Sequence, residues 1–376
     1  MKICFITAIP GTAESFLKDH IEALRKEYRV FYVSNEHDPS KIRVPHDGYY
    51  YADIQRGISL FDDLKGLWQL YRIFKKEKFD AVHSVTPKAG LLTALAGAMA
   101  GIPVRIHIFT GQVWATRRGF MRFLLKTFDK VIAGLDTHIL ADGHGQRRFL
   151  IDNGVVKESK SKVLGSGSIC GVNLSRFRPD IKTRAYAREH VHIPDNKTVF
   201  AFMGRLNRDK GLYELLAAFD SLAAGRSDVF LLLIGSDEEN LASRFGEYVH
   251  LREGVNFFYY GQTGEPERIM QAADVFVCPS YREGFGVSVI EASALGLPVI
   301  CSDAYGVMDA MVEGATGLRC KVADVESLRK AMATLADSPQ LRVTLGKNGR
   351  QRIIDEFSSE RVTGLWLDYY RRVLGK

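Results

Sequence analysis

The sequence predicts an α/β protein built from two doubly wound domains, each a parallel sheet covered by helices. The chain has 376 residues, of which 46% are hydrophobic, and this is enough for two separate cores. Short β-branched apolar runs alternate with helical segments along its whole length, which is the pattern of βα units on a parallel sheet. A turn-rich segment, residues 165–179, interrupts the alternation. We therefore place the domain boundary near residues 165–195.

The strands of each half can be assigned in order from these apolar runs. In the first half they are predicted at residues 3–7, 30–33, 81–83, 104–109 and 137–140. In the second half they are predicted at residues 198–203, 229–234, 255–259, 275–278 and 299–301. Doubly wound sheets bind ligands beyond the carboxyl ends of their strands, so two such sheets in tandem predict a ligand cleft between the domains.

The composition excludes several classes of protein. Five widely spaced cysteines without a Cys-x-x-Cys pair are typical neither of a disulfide framework nor of a zinc site, and they favour a reducing cytoplasm. The first apolar run is ended by Pro10-Gly11 and is too short for a secretory signal. The apolar stretch 89–104 is too short to span a bilayer and is expected to form a buried helix.

The positive charge of the chain is concentrated in its first half. The net charge is +7, yet residues 1–170 hold 25 Lys and Arg against 17 Asp and Glu, a balance of +8. Such asymmetry indicates an anionic partner, which is nucleic acid, a membrane surface or a phosphorylated substrate.

The segment 281–298 carries the strongest local signal. It follows the strand at 275–278 and joins a glycine loop to a helix, so that the free amides of Val287 and Ser288 can hold an anion such as a diphosphate. Glu283 in the loop and Glu291 on the helix could bind a sugar and a ribose. Taken singly, each glutamate would more often be a solvated surface charge.

A second signal is Gly204-Arg-Leu-Asn-Arg-Asp-Lys-Gly211, directly after the first strand of the second half. Arg205 can grip two phosphate oxygens, and Lys210 adds a compact positive charge. The pair can thus neutralise a diphosphate leaving group. The alternative interpretation of this segment is a solvated turn without a ligand.

Together these elements resemble the retaining glycosyltransferases of family 4, which have the GT-B fold. The resemblance rests on the Glu-x7-Glu element at 283–291, the Gly-Arg-x4-Lys-Gly element at 204–211, the linker 171–177, and the segments 302–306 and 314–317. It covers nearly the whole chain. The stretches 86–91 and 163–168 resemble the bacterial branch that builds capsule, O-antigen and related surface glycans.

The resemblance implies a role for each matching residue. Arg205 and Lys210 would bind the donor diphosphate with the backbone of Gly286 and Val287. Glu291 would bind the ribose of the donor, and Glu283 would bind its sugar. Gly261-Gln262 would contact the base of the nucleotide, which we expect to be a uridine nucleotide, and Gly235 would lie beneath the pocket. The family's last helix crosses back to the first domain. The expected domains are therefore 1–170 with 358–376, binding the acceptor, and 171–357, binding the donor.

The chain departs from the family pattern at three places. Asn173 stands where many members have Asp, and Thr110-Gly111 stand where many have a histidine. His107, three residues earlier, is either a catalytic residue or a strand residue facing the core. The first glycine loop is altered, although Gly11 and Thr12 are still expected to line the acceptor side.

Neither a metal ion nor a cofactor is expected. No Asp-x-Asp motif occurs near these elements, and cationic side chains with a helix start can stabilise the leaving group instead. For retention we favour attack on the same face of the sugar, with Glu283 orienting it, since no second carboxylate is clearly placed as a nucleophile.

Two basic aromatic segments, residues 64–78 and 114–130, belong to the expected acceptor half. Each could lie on an anionic membrane or pack its aromatic face on the core. By resemblance the acceptor would be a polyprenyl diphosphate-linked saccharide, with Lys88, Arg117 and Arg118 at its phosphates. The protein is then expected at the cytoplasmic face of the inner membrane as a peripheral protein.

Other functions are compatible with parts of the sequence. A nucleic-acid binder would explain the basic charge but no such motif occurs, and a dehydrogenase would need Gly-x-Gly-x-x-Gly in the first βα turn. A nucleotide-sugar epimerase of GT-B architecture is the nearest enzymatic alternative. A non-catalytic nucleotide-sugar-binding subunit is another.

Overall fold

The computed structural model describes residues 1–55, 57 and 59–375, so Lys376, the last residue of the expected C-terminal segment, lies outside the described residues. The chain forms two compact units. Unit 1 comprises Met1–Gly171 with Ser359–Lys376, and unit 2 comprises Val172–Ser358.

All strands of the two sheets run parallel. The strands are β1 Lys2–Ile6, β2 Arg29–Ser34, β3 Gly48–Tyr51, β4 Ala81–Val85, β5 Val104–Phe109, β6 His138–Ala141, β7 Ser161–Lys162, β8 Thr198–Met203, β9 Val229–Ile234, β10 Phe257–Gly261, β11 Val275–Cys278, β12 Val299–Ser302 and β13 Gly317–Cys320. Unit 1 has the order β3-β2-β1-β4-β5-β6-β7, and unit 2 has the order β10-β9-β8-β11-β12-β13. In each, the order reverses beside the unit's first strand, as in doubly wound folds. This confirms the predicted fold class.

The helices connect these strands. They are α1 Pro10–Phe16, α2 Lys18–Leu24, α3 Leu60–Glu77, α4 Pro87–Ala100, α5 Gly119–Leu135, α6 His144–Asp152, α7 Ile181–His190, α8 Leu212–Ala223, α9 Pro266–Ile269, α10 Val287–Ala294, α11 Val325–Asp337, α12 Pro339–Glu356 and α13 Ser359–Leu374. Within the described part of the chain, no helix combines the length and the apolar character needed to cross a bilayer.

Three edge strands, β3, β7 and β13, were not predicted from the sequence, and each omission has a physical reason. β3 is only half-buried and reads Gly-Tyr-Tyr-Tyr, and β7 has just two residues, so neither shows a buried apolar run. In β13 the end residues Gly317 and Cys320 are buried and the middle residues are more exposed, so its four residues show neither an apolar run nor a periodicity.

The apolar stretch after β4 forms the buried helix α4. Its small residues let it approach the sheet closely: a side chain on Gly90 would place its Cβ 2.5 Å from Cε1 of His107. A bulkier residue would push the helix off the sheet. The sequence of α4 is therefore explained by packing inside unit 1.

The last helix, α13, packs inside unit 1 through a stack of aromatic rings. Trp366 is 1% exposed, and its ring lies between those of His20 and His83 at centroid distances of 4.9 and 5.0 Å. His83 Nδ1 lies 2.6 Å from the Tyr370 hydroxyl, and His20 Nε2 lies 2.7 Å from the Ile169 carbonyl oxygen. Burial lowers the pKa of His20 to about 4, so this imidazole is neutral at physiological pH.

Candidate active site

The predicted donor loops of unit 2 meet at one edge of its sheet. The loop 204–211 follows β8, Gly235 follows β9, and the loop 279–286 follows β11. These three strands are neighbours and run parallel, so their carboxyl ends share an edge. This edge is where open α/β sheets bind ligands.

Lys210 and Glu283 form an ion pair at this edge. The two side chains are 21% and 15% exposed, so the pair is screened by water much less than a surface pair. The Ser280 hydroxyl donates a hydrogen bond of 2.8 Å to Glu283 Oε1, and the Ser302 hydroxyl donates one of 2.5 Å to the Ser280 carbonyl. The carboxylate of Glu283 is thereby held in one orientation, and these two serines were not predicted from the sequence.

Glycines allow the backbones around Glu283 to approach closely. Gly211 has φ of +71°, and a Cβ there would lie 2.2 Å from the Pro279 carbonyl oxygen. A Cβ on Gly306 would lie 2.1 Å from the carbonyl oxygen of Glu283 itself. The two motif glycines are therefore needed for the shape of the loops that carry Lys210 and Glu283.

Arg205 has a different partner. Its Nη1 lies 3.0 and 3.2 Å from the two carboxylate oxygens of Glu238, which also accepts a hydrogen bond of 3.0 Å from Asn207 Nδ2. The pair is exposed and therefore weak. Arg205 is thus available for an incoming anion, and Glu238 is a neighbour that the sequence motifs did not indicate.

The expected base-side residues gather where β8, β9 and β10 end. The Gly235 amide donates a hydrogen bond of 2.8 Å to the Gly261 carbonyl, and the Tyr259 hydroxyl donates one of 3.0 Å to the Gly235 carbonyl. A Cβ on Gly235 would lie 1.8 Å from the Gly204 carbonyl oxygen, so only glycine fits. Gln262 is exposed directly after β10.

The start of α10 can receive an anion. Gly286, with φ of +99°, is its N-cap and has no side chain to satisfy the amides of Val287 and Ser288. Such amides and the helix dipole favour negative charge. The sequence-predicted phosphate position therefore lies directly after the loop of Glu283.

Glu291 lies on α10, near the ion pair of Arg176 and Glu267, whose charged atoms are 2.7 Å apart. Burial of the carboxylate raises the pKa of Glu291 to about 8; the charge of Arg176 opposes this shift and that of Glu267 adds to it. Part of the side chain remains accessible. A carboxyl group kept neutral in this way can donate as well as accept a hydrogen bond, which suits a ligand hydroxyl.

The acceptor-side residues of unit 1 are spread over several elements. Gly11 and Thr12 belong to the first turns of α1 rather than to an open loop. Lys88, at the start of α4, lies 2.5 Å from both carboxylate oxygens of Asp63 on α3. Arg117 and Arg118 are exposed just before α5.

The start of α4 is strained. Thr86, the residue before Pro87, has φ of +80°, which a β-branched residue rarely adopts. Its hydroxyl oxygen is buried and has no hydrogen-bond partner among the described residues. Strain of this kind concentrates at functional sites.

His107 is a core residue of β5. It is 1% exposed, and its Nδ1 shares a hydrogen bond of 2.8 Å with the Ser84 hydroxyl. Burial lowers its pKa to about 3. His107 is therefore a strand residue that faces the core, which is one of its two expected positions. A substrate would not reach this ring without displacing α4.

Trp114, the first residue of segment 114–130, packs in the core, which is one of the two positions expected for the aromatic residues of this segment. Its side chain is buried; the ring nitrogen donates a hydrogen bond of 2.7 Å to Asp129, and the ring stacks on Phe149 at 5.2 Å. Burial raises the pKa of Asp129 to about 7, and the hydrogen bond from Trp114 opposes this rise. The aromatic character of this segment is therefore divided between core and surface.

Comparison with known proteins identifies the class of both units. Residues 184–352 match the family model described as glycosyl transferases group 1, and residues 11–165 match a glycosyl transferase 4-like domain. The chain is 32% identical over 344 residues to the capsular polysaccharide biosynthesis glycosyltransferase CapM of Staphylococcus aureus, covering 92% of this chain and 90% of that protein.

Two further similarities span most of the chain. It is 25% identical over 327 residues to a UDP-Gal:alpha-D-GlcNAc-diphosphoundecaprenol alpha-1,3-galactosyltransferase of Escherichia coli, covering 85% of this chain and 83% of that protein. The crystal structure of Anabaena Alr3699/HepE in complex with UDP superposes with a TM-score of 0.81 at 18% identity, covering 99% of this chain and all of that chain. The latter likeness concerns the fold.

Proposed function

The chain belongs to the group 1 glycosyltransferases, and we propose that it moves a hexose or N-acetylhexosamine from a UDP-sugar to a lipid-linked saccharide and retains the anomeric configuration. The observation that carries the proposal is the Lys210–Glu283 ion pair at the edge of the unit 2 sheet, beside the start of α10. The acceptor would be a polyprenyl diphosphate-linked saccharide of bacterial surface glycan synthesis.

Charge development explains the donor residues. Breaking the anomeric C–O bond leaves negative charge on the departing diphosphate. Lys210 and Arg205 are cationic, the α10 amides are dipolar, and all of them lie near the carboxyl ends of the unit 2 strands. Groups positioned in advance for that charge stabilise the transition state without reorganisation. Glu291, with its raised pKa, would bind the ribose hydroxyls, and Gly261-Gln262 would contact the base.

Retention is proposed to follow from attack on the same face of the sugar. In this mechanism the acceptor hydroxyl passes its proton to the leaving phosphate, and Glu283 orients the transferred sugar. Glu283 is paired with Lys210 and accepts a hydrogen bond from Ser280, which keeps its carboxylate in a fixed position for orienting the sugar. The name of the Escherichia coli relative records an alpha-linked product.

Metal independence is part of the proposal and is tested by nucleotide binding. With EDTA present, UDP is expected to raise the thermal unfolding midpoint, because a ligand that binds only the folded state stabilises it. Arg205→Ala should abolish most of that rise. The matched control is Arg252→Ala, a change of an exposed arginine in the same unit. A midpoint shift that requires added Mg²⁺ would contradict the proposal, as would an equal shift in both variants.

The acceptor is proposed to bind unit 1 at the start of α4. Lys88 lies there beside the strained Thr86, and the helix start favours an anion such as a lipid-linked diphosphate. Asp63 would release Lys88 when that anion arrives. The Escherichia coli relative is named for a diphosphoundecaprenol acceptor, which is the chemistry we propose here.

Membrane contact is proposed for the starts of α3 and α5, which flank α4. Both helices follow strands of the same parallel sheet, and both pack on α4. Phe61 is 85% exposed, and other large apolar side chains are exposed beside it or at the start of α5: Leu60, Leu64, Trp68, Phe120, Met121 and Phe123. Arg117 and Arg118 add positive charge. Apolar side chains beside basic ones suit an anionic bilayer surface.

Replacing Phe120 and Phe123 together by serine is expected to weaken binding to vesicles of phosphatidylglycerol and phosphatidylcholine by roughly tenfold or more, since two aromatic side chains no longer enter the bilayer. Sedimentation with vesicles measures this effect. The control replaces Ile181 and Val343 of unit 2, which are as exposed, by serine. Equal binding of both variants would refute the proposed surface.

A further inference from the structure

A cavity lies wholly within unit 1 and is lined by residues that have no role in the proposed transfer reaction. It is bounded by the start of α6, by β7 with the loop that follows it, and by α13. Its volume is about 420 Å³, which falls in the range of about 300–1,000 Å³ of small-molecule sites. Neither the family comparison nor the proposed transfer reaction assigns a ligand to it.

The polar lining of this cavity is mainly cationic. Arg147, Lys162 and Arg372 contribute three positive charges, and Glu158 is the acidic member of the lining. The Glu158 side chain is 77% exposed and lies 3.7 Å from Arg147, so it neutralises little of this charge.

Arg147 is held in place by neutral groups. Its Nε lies 3.0 Å from the Ser161 carbonyl oxygen and 3.1 Å from the Ser161 hydroxyl, and Nη2 donates a hydrogen bond of 2.9 Å to the Glu158 carbonyl. These acceptors fix the guanidinium without cancelling its charge. A guanidinium fixed in this way is ready for an anion because little side-chain entropy remains to be lost.

Lys162 and Arg372 keep their charges uncompensated. Among the described residues, neither forms an ion pair within 4.0 Å, and Arg372 Nε instead donates a hydrogen bond of 3.3 Å to the carbonyl of Asp368. The carboxylate of Asp368 pairs with Arg371, 3.0 Å away. The positive charge also acts on a neighbouring residue. Burial is the largest cause that lowers the pKa of His138, and the charges of Lys162 and Lys160 lower it further.

The cavity also has an apolar wall whose position depends on a glycine. Gly165 has φ of +55°, and a Cβ there would lie 2.5 Å from Cδ1 of Leu365 on α13. Val163 and Leu164 also line the cavity. A ligand with both a phosphate group and an apolar portion would therefore be matched by both parts of the lining.

We propose that this cavity is a binding site for the phosphate or diphosphate group of a small ligand, held by Arg147, Lys162 and Arg372. Three cations around one space favour a multiply charged phosphate over a single carboxylate. The group could come from a soluble phosphorylated compound or from a lipid headgroup, which share this chemistry. The site does not depend on the proposed transfer reaction.

The test measures the binding of inorganic pyrophosphate by calorimetry in metal-free buffer. The starting protein for this test is the full chain with Arg205→Ala and Lys210→Ala, so that these donor residues of unit 2 do not contribute to pyrophosphate binding. Adding Lys162→Gln and Arg372→Gln is expected to weaken pyrophosphate binding by roughly tenfold or more, since each exposed side chain supplies a charge to the anion. Adding Lys157→Gln and Arg148→Gln, which removes the same charge outside the cavity, should change it less than about twofold.

The absence of pyrophosphate binding, or an equal loss in the two variants, would overturn the proposal. The same variants tested on phosphatidylglycerol vesicles distinguish the two sources of the group. A loss of vesicle binding specific to Lys162→Gln and Arg372→Gln would identify a lipid headgroup. A specific loss of pyrophosphate binding alone would identify a soluble ligand. Because the donor residues are already replaced, failure of this test leaves the transferase proposal unaffected.

Discussion

Lys210→Met is expected to lower sugar-transfer turnover by roughly 10²- to 10³-fold, the effect of removing one fixed group that stabilises developing negative charge. The ammonium of Lys210 is mostly buried and paired with Glu283, so its position needs no reorganisation when the diphosphate departs. Its removal also leaves the Glu283 carboxylate without its partner. Initial rates with saturating donor and acceptor measure the change in kcat.

Glu283→Gln provides the second corner of a double-mutant cycle. It should lower turnover strongly, and the double variant should lose less than the sum of the two single losses in activation free energy, because the residues act as a unit. Lys347→Met, an exposed change on α12, is the matched control and should leave the rate unchanged. Near-normal turnover in either Lys210→Met or Glu283→Gln would contradict the assigned roles.

Trp366→Ala is expected to lower the free energy of unfolding of unit 1 by about 3–5 kcal/mol, the usual range for removing a buried aromatic side chain. The indole is enclosed between His20 and His83, so the substitution leaves a cavity and removes two ring contacts. α13 would lose its main anchor to the sheet. Urea denaturation, followed by fluorescence and by circular dichroism, measures the transition.

Trp68→Ala is the matched control for stability. Trp68 lies exposed on α3, so its removal should change the unfolding free energy by no more than about 0.5 kcal/mol. If both tryptophan variants unfold at the same urea concentration as the parent chain, α13 does not anchor unit 1 as described.

The strand pattern of the fold could be predicted because buried parallel strands are continuous apolar runs. Residues 229–234 are an example: all six side chains of β9 are buried. Of the four edge strands, only β10 was predicted, and β3, β7 and β13 give no such signal. β7 pairs with β6 through two residues, and its assignment depends on a neighbour that the sequence does not reveal.

The site could be predicted only in part, because motifs identify loops but not the side chains that support them. The sequence placed Lys210 and Glu283 on two loops, each of which directly follows a strand. Their direct contact is visible only in the structure. Ser280 and Glu238 lie outside the motifs, and Ser302 lies in the segment 302–306 but had no assigned role, so the contacts of all three were missed. The sequence left two positions open for His107 and for Trp114, since a lone histidine or aromatic residue has the same appearance in a sequence whether it faces a ligand or the core.

The anomeric configuration of the transferred sugar is the most direct test of the proposed transfer mechanism. The reaction is run in EDTA with the UDP-sugar that most raises the unfolding midpoint and with a polyprenyl diphosphate-linked saccharide, and the product is analysed by NMR. We expect transfer with the same anomeric configuration as in the donor. An inverted linkage, or the absence of transfer until Mg²⁺ is added, would contradict a retaining, metal-independent transfer.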